Sequence, residues 1–271
     1  MVKGLYTAYT GMVNQMNRMD VLTNNLANSA TTGFKKEGLT SQSFDEQLAI
    51  KIKDTSDYGI PKGLGDISLG VKVGENFTDF DQGAFRVTDD KYDFALDGKG
   101  FFAISFTNKA GVSSIKYTRD GAFTLNKEGY LVTKDGDFVL NKAAALASNN
   151  QIINGVPTGA IRLDPTKEFE VDEMGNVYQE NEFITQMGVV DVEDYNYIEK
   201  YGENLYQLVN GGTIINSGAK VNQGSLEMSN VNVVYEMVEM IATTRSYEAN
   251  QKIIQTIDET LDKAVNSIGS L

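Results

Sequence analysis

The sequence predicts an α+β fold, mostly β. Long helices at the two chain ends flank a turn-rich antiparallel centre with sandwich- or barrel-like character. Three observations lead there. Residues 1–30 contain only two glycines, Gly4 and Gly11, and residues 226–271 only Gly269, while Pro61, Pro157 and Pro165 all lie between. Both ends carry apolar residues at alternating steps of four and three, the spacing of one helix face. The centre instead carries short aromatic and β-branched runs separated by Asp-Gly and Glu-Gly pairs.

The N-terminal helix is read from Leu5, Tyr9, Met12, Met16, Met19, Thr23 and Leu26, an unbroken heptad stripe of the kind that forms a coiled-coil seam. Its methionines make an adaptable surface. The pattern stops at the polar run from Asn28 to Gly33, before Phe34.

The C-terminal helix is predicted from about 230 to 268, about 58 Å long at 1.5 Å per residue, with Ser229 or Asn230 as its cap. Val231, Val234, Val238 and Ile241 define one stripe. Asn250, Ile254, Ile257, Leu261, Ala264 and Ile268 define another, out of register with the first. A helix this long suits a rod or bundle better than a compact globule.

Strands are expected at 101–106, 115–118, 122–125, 130–133, 138–140, 169–171, 183–192 and 205–209, with Asp120-Gly121, Glu128-Gly129 and Asp135-Gly136 as turns. Residues 1–33 and 226–271 read as one discontinuous helical domain. Residues 34–75, with Gly59, Pro61, Gly63, Gly65 and Gly70, read with 215–225 as extended connector. Residues 76–214 read as a β domain expected to fold alone.

Composition removes much chemistry. Cysteine and histidine are absent, so disulfides, thiolate nucleophiles, the usual general base and the usual zinc ligands are excluded. With 24 Lys+Arg against 37 Asp+Glu, the net charge of −13 argues against a nucleic-acid partner. Residues 1–12 contain no apolar run flanked by a small-residue cleavage site, and no stretch is long enough to span a bilayer, so neither a cleavable signal nor membrane insertion is expected. Charge is uneven: residues 1–38 hold four Lys+Arg and two Asp+Glu, whereas 226–271 hold three and seven. That difference favours association of the two ends modestly.

Gly98-Lys-Gly100-Phe-Phe-Ala103 matches a dinucleotide fingerprint on paper, but an aromatic strand follows the glycines where the pyrophosphate needs a helix N-terminus. The neighbours Asp79/Asp81, Asp89/Asp90, Asp93/Asp97 and Glu193/Asp194 admit a carboxylate-pair glycosidase, yet so acidic a chain produces such neighbours by chance. An adhesin or fibre with trimeric helical ends is a further alternative. No catalytic, cofactor or metal residue is assigned.

Asn24-Asn25-Leu26-Ala27-Asn28 with Thr31-Thr-Gly33-Phe34-Lys35, and Leu226-Glu-Met-Ser-Asn230-Val231-Asn232-Val-Val234 with Glu236, Met240-Ile241 and Arg245-Ser-Tyr247-Glu248-Ala-Asn250, resemble the two terminal signatures of the flagellar rod and hook family. Asp97-Gly-Lys-Gly-Phe-Phe102, Tyr117-Thr-Arg-Asp-Gly-Ala-Phe123 and Gly129-Tyr-Leu-Val-Thr133 resemble core strands of its distal-rod members. The resemblance implies a non-enzymatic axial protein of the bacterial basal body, exported by the flagellar type III apparatus. Its terminal helices would pair and pack with copies of itself and with neighbouring rod and hook proteins into a helical tube, with the β domain outside. The residues quoted from both signatures and both helical stripes, from Leu5 to Leu261, would form the packing surface.

Overall fold

The computed structural model describes residues 2–50, 63–109, 112–147, 152–153, 155–202 and 204–268, so Gly59 and Pro61 of the expected connector lie outside the described residues. Three α-helices are present: α1 (Val2–Ala27), a short α2 (Lys142–Ala147) and α3 (Val233–Lys263), which ends in a wider turn over Ala264–Ile268. The chain divides into two compact units. One comprises Met1–Ala27, Lys36–Asp79 and Asn232–Leu271; the other comprises Asn28–Lys35 and Phe80–Val231.

In the first unit α1 and α3 run side by side in opposite directions. Gly4 faces Ile257, Gly11 faces Asn250, Arg18 pairs with Glu239 at 2.7 Å, and Asn25 meets Glu236. The α1 residues recur every seven, so one stripe of the helix holds the contact throughout. That stripe is Gly4, Ala8, Gly11, Arg18, Leu22 and Asn25, mostly small or polar, which brings the helix axes close. A Cβ at Gly11 would already stand 3.1 Å from the Asn250 amide.

The cap of α3 differs from expectation. Asn232 takes the role, its Oδ1 accepting from the Tyr235 N–H at 3.2 Å. Ser229 Oγ accepts from Val231 N–H at 3.2 Å and the Asn230 amide donates to the Asp81 carbonyl at 3.1 Å, so both are engaged before the helix begins.

The same unit contains β1 (Glu37–Ser43), β2 (Gln47–Ile50), β3 (Gly63–Ile67) and β4 (Val71–Thr78). β1 pairs with β4 and β2 with β3, both antiparallel. The β1 bulge between Leu39 and Ser41 is filled by Thr40, whose hydroxyl donates to the Glu75 carbonyl (3.1 Å) and accepts from the Glu75 N–H (2.8 Å).

The second unit is β-rich. β5 (Phe85–Val87) and β6 (Phe94–Asp97) precede the run β7 (Phe101–Thr107), β8 (Ser113–Thr118), β9 (Phe123–Leu125), β10 (Leu131–Thr133) and β11 (Phe138–Val139). After α2 come the hairpin β12 (Ile152–Ile153) and β13 (Val156–Pro157), then the meander β14 (Phe169–Val171), β15 (Asn176–Gln179) and β16 (Glu182–Gln186). The run closes with β17 (Val189–Val192), β18 (Ile198–Lys200), β19 (Leu205–Leu208), β20 (Ile214–Asn216), β21 (Lys220–Gln223) and β22 (Ser225–Glu227). The main sheet has the order β18-β19-β8-β7-β11-β10-β9, and β17 pairs with both β7 and β20. Among the described residues this sheet does not close into a barrel.

β7 is buried on both faces, which explains its continuous apolar run. Phe102 and Ile104 join one core with Phe94, Leu96, Phe123, Leu131, Met187 and Val221. Phe101 and Ala103 join a second with Tyr117, Leu140, Val190 and Tyr206. Each buried Phe, Leu, Ile, Met or Val among them contributes about 1.5–3 kcal/mol relative to exposure. Burial pushes the Tyr117 hydroxyl up to about 12. Val221 reaches the first core because β21 pairs with β6, so this compact unit runs on to Val231.

Candidate assembly surface

Three neighbouring stripes of α1 have three different surroundings. The stripe of Gly4, Ala8, Gly11, Leu22 and Asn25 lies against α3. One residue earlier, Thr7, Thr10 and Asn14 meet the strands: Thr7 Oγ1 donates to the Leu69 carbonyl at 3.2 Å, Thr10 abuts Gly70, and the Asn14 amide donates to Ser41 Oγ at 2.9 Å. One residue later comes the predicted heptad. Leu5, Tyr9 and Met16 are 36%, 52% and 50% exposed, Met12, Met19 and Leu26 are half-buried, and Asn24 is exposed. The large apolar residues therefore occupy the outward stripe and the small ones the contact.

The two out-of-register stripes of α3 resolve in the same way. Met240, Tyr247, Asn250, Ile254, Ile257 and Leu261 are half-buried and continue the line of Glu236 and Thr243, both fully or nearly buried. They step by four and three along the face towards α1. Val234, Val238 and Ile241, at 71%, 59% and 55% exposure, sit about 160° around the helix from that face, and Arg245 and Glu248 are exposed as well. Val231 is half-buried just before the helix. Val234, Val238 and Ile241 thus present an aligned apolar stripe to water.

The signature residues form buried polar anchors where the chain leaves α1. In the first unit Asn25 is wholly buried. Its amide donates to the Glu37 carbonyl at 2.8 Å and its Oδ1 accepts from the Glu37 N–H at 2.9 Å, so a side chain completes a strand-like pairing with the backbone. Lys36 Nζ lies 2.6 Å from Glu236 Oε1 and over the Tyr235 ring at 4.9 Å. Asn25 Nδ2 also meets Glu236 Oε2 at 3.3 Å.

In the second unit Gly33, Phe34 and Lys35 are buried, and Asn28 is half-buried. Gly33 has φ +69°, and a Cβ there would lie 2.4 Å from Asp120 N, so only glycine fits. Its N–H donates to the Glu227 carbonyl at 2.9 Å. Lys35 Nζ donates to Glu227 Oε1 at 2.6 Å and to the Asp81 carbonyl at 2.8 Å. Arg119 Nη1 donates to Glu227 Oε2 at 3.1 Å and Nη2 to the Gly98 carbonyl at 2.8 Å. Lys35 has no exposure, Glu227 1% and Arg119 3%. Sequence reasoning quoted these three residues inside motifs without joining them. Nothing local distinguishes them: Lys35 is followed by Lys36 and Glu37, and Arg119 by Asp120.

The glycines at 98 and 100, with φ of +113° and +146°, lead into strand β7 rather than a helix, so they make a turn and no pyrophosphate cradle. A cleft of about 550 Å³ lies among Thr32, Asp120, Asp135, Asp137, Lys134 and Arg86. Burial raises the Asp137 carboxyl above its ordinary value. None of the carboxylate pairs singled out from sequence lines this cleft. No group of three or more metal-ligating side chains occurs among the described residues, and no described helix is long and apolar enough to cross a membrane.

Outward apolar stripes on both terminal helices, with buried polar anchors where the chain leaves them, are the geometry of a structural subunit. Comparison with known proteins agrees. Three family models match in chain order: flagella basal body rod protein over 5–35, flagellar hook protein FlgE/F/G D1 domain over 95–181, and flagellar basal body rod FlgEFG protein C-terminal over 222–267. The chain is 34% identical to the flagellar basal-body rod protein FlgG of Bacillus subtilis, covering 98% of this chain and 99% of that one. It is 31% identical to the flagellar hook-basal body complex protein FlhO of the same organism over 100% of both. It is 32% identical to the rod protein FlgF of Caulobacter vibrioides, over 97% and 98%. The chain belongs to the flagellar basal-body rod family, and FlgG-type members recur among the proteins it resembles.

Proposed function

We propose that this chain is a structural subunit of the flagellar basal-body rod, of the distal FlgG type, and that it polymerises with its own copies into the tubular shaft that carries torque to the hook. The observation that carries this reading is the outward apolar stripe on each terminal helix, Leu5 to Met19 on α1 and Val234 to Ile241 on α3. An isolated chain leaves that surface in water, and a repeated contact between copies removes it.

In this reading α1 and α3 pair as a coiled coil through the seven-residue recurrence of their contact stripe. Residues 1–27 and 232–271 form the axial core and the β-rich residues 80–231 supply the outer domain, in place of the expected bounds 1–33, 226–271 and 76–214 with 34–75 and 215–225 as connector. Neighbouring rod and hook proteins meet the ends of the shaft, and the flagellar type III apparatus delivers the chain across the cytoplasmic membrane. Stiffness is the output, and no chemical step is needed.

Electron microscopy of basal bodies tests the assignment. Cells lacking the gene are expected to carry truncated rods without hooks and to be non-motile. The full-length gene should restore them, and one lacking residues 2–28 should not. Complete rods and normal swimming in the deletion strain would contradict the reading.

A further inference from the structure

The two outward stripes cannot cover each other within one chain. On α1 the stripe lies one residue, about 100°, from the contact with α3, and on α3 it points almost directly away from α1. They also sit at different levels: Gly11 is beside Asn250 and Asn25 beside Glu236, so Val234–Ile241 stands beside the end of α1 rather than its start. Each stripe nevertheless has the same spacing. Leu5, Tyr9, Met12 and Met16 step by four, three and four; Val234, Val238, Ile241 and Arg245 step by four, three and four. Reversed in direction, the two match position by position.

We propose that the α1 stripe of one copy seats on the α3 stripe of a second copy, with Tyr9 opposite Ile241, Met12 opposite Val238 and Met16 opposite Val234. This rests on the rod-subunit reading above and names the contact within it. In a single chain Tyr9 stands level with about residue 252, two beyond Asn250, so reaching Ile241 of the next copy is a slide of about 11 residues, or about 16 Å at 1.5 Å per residue. The contact joins two different patches, so it is heterologous and repeats along an axis instead of closing as a dimer. The four α1 residues carry no charge and the α3 stripe carries only Arg245 at its end, where it faces Leu5 with its aliphatic stem. Unbranched methionines fitting between β-branched valines and isoleucine give knobs and holes of complementary shape.

The chain has no cysteine, so engineered thiols report contacts without background. Basal bodies isolated from cells carrying Tyr9→Cys with Ile241→Cys should, on oxidation, give a ladder of disulfide-linked multimers of this chain on non-reducing gels. Met12→Cys with Val238→Cys should give the same ladder and serves if the first pair impairs assembly. Met16→Cys with Ile241→Cys, one heptad out of register, should give at least tenfold less. Rods that assemble with either matched pair but form no ladder overturn the stripe pairing while leaving the rod reading intact. A ladder from the mismatched pair alone overturns the register. Wild-type basal bodies that contain none of this chain overturn the rod reading itself.

Discussion

Replacing Glu227 with alanine costs the β-rich unit about 3–5 kcal/mol, the range expected when one partner of a buried ion cluster is removed and the others stay charged in the interior. Lys35 and Arg119 are both almost without solvent contact, and Glu227 receives both of them as well as the Gly83 N–H at 3.0 Å. Without the carboxylate, two cations and a backbone donor lose their acceptor together. The loss should appear as a lower urea midpoint for the near-ultraviolet signal of the full chain, with unchanged slope. The double variant Glu227→Met with Lys35→Met should recover part of it, because an apolar replacement removes the desolvation cost along with the attraction. A change below about 1 kcal/mol for Glu227→Ala, typical of exposed pairs, would show that water reaches the cluster.

Met16→Asp should do the opposite: leave the fold and abolish the assembly. Half of the Met16 surface is already in water, so in the free chain the change costs little more than the helix preference of aspartate, under about 1 kcal/mol. The proposed packing covers the same position with a neighbour, where an uncompensated carboxylate costs several kcal/mol at every subunit. Circular dichroism of the purified variant should match the parent chain while cells carrying it swarm no further than the deletion strain. Normal rods built from the variant would show that the outward stripe is not a packing surface.

The two helical ends and the strands β7 to β11, β14, β16, β17 and β19 were legible because they obey one-dimensional rules. Glycine and proline avoid the ends, heptads mark helix faces, and aromatic runs between Asp-Gly and Glu-Gly pairs mark hairpins. Which stripe faces inward was not legible. Hydrophobicity assigns Leu5, Tyr9 and Met16 to a helix–helix seam, whereas close approach of the helices selects Gly4, Ala8 and Gly11 and leaves the larger residues facing water. β1 was missed because Glu-Gly-Leu-Thr-Ser-Gln-Ser has no alternation: it packs with polar side chains such as Ser41 against Asn14. The cap at Asn232 was displaced by two competing caps whose side chains are occupied elsewhere. The Lys35–Glu227–Arg119 cluster joins residues up to 192 positions apart, beyond any local pattern. The family signatures span that region, and the structure supplies their physical content: a glycine whose positive φ and close backbone neighbours admit no side chain, an asparagine pairing like a strand, and a carboxylate holding two buried cations.

If the outward stripes of the terminal helices are the surfaces by which copies join, the assembled rod covers them. A cryo-electron microscopy map of the rod built from this chain, at a resolution that shows side chains, tests it most directly. The predicted result is that Tyr9 and Met16 on α1, and Val238 and Ile241 on α3, lie within van der Waals contact of other subunits' helices around the central channel. A map in which copies touch only through residues 80–231, with those stripes still facing water, would contradict it.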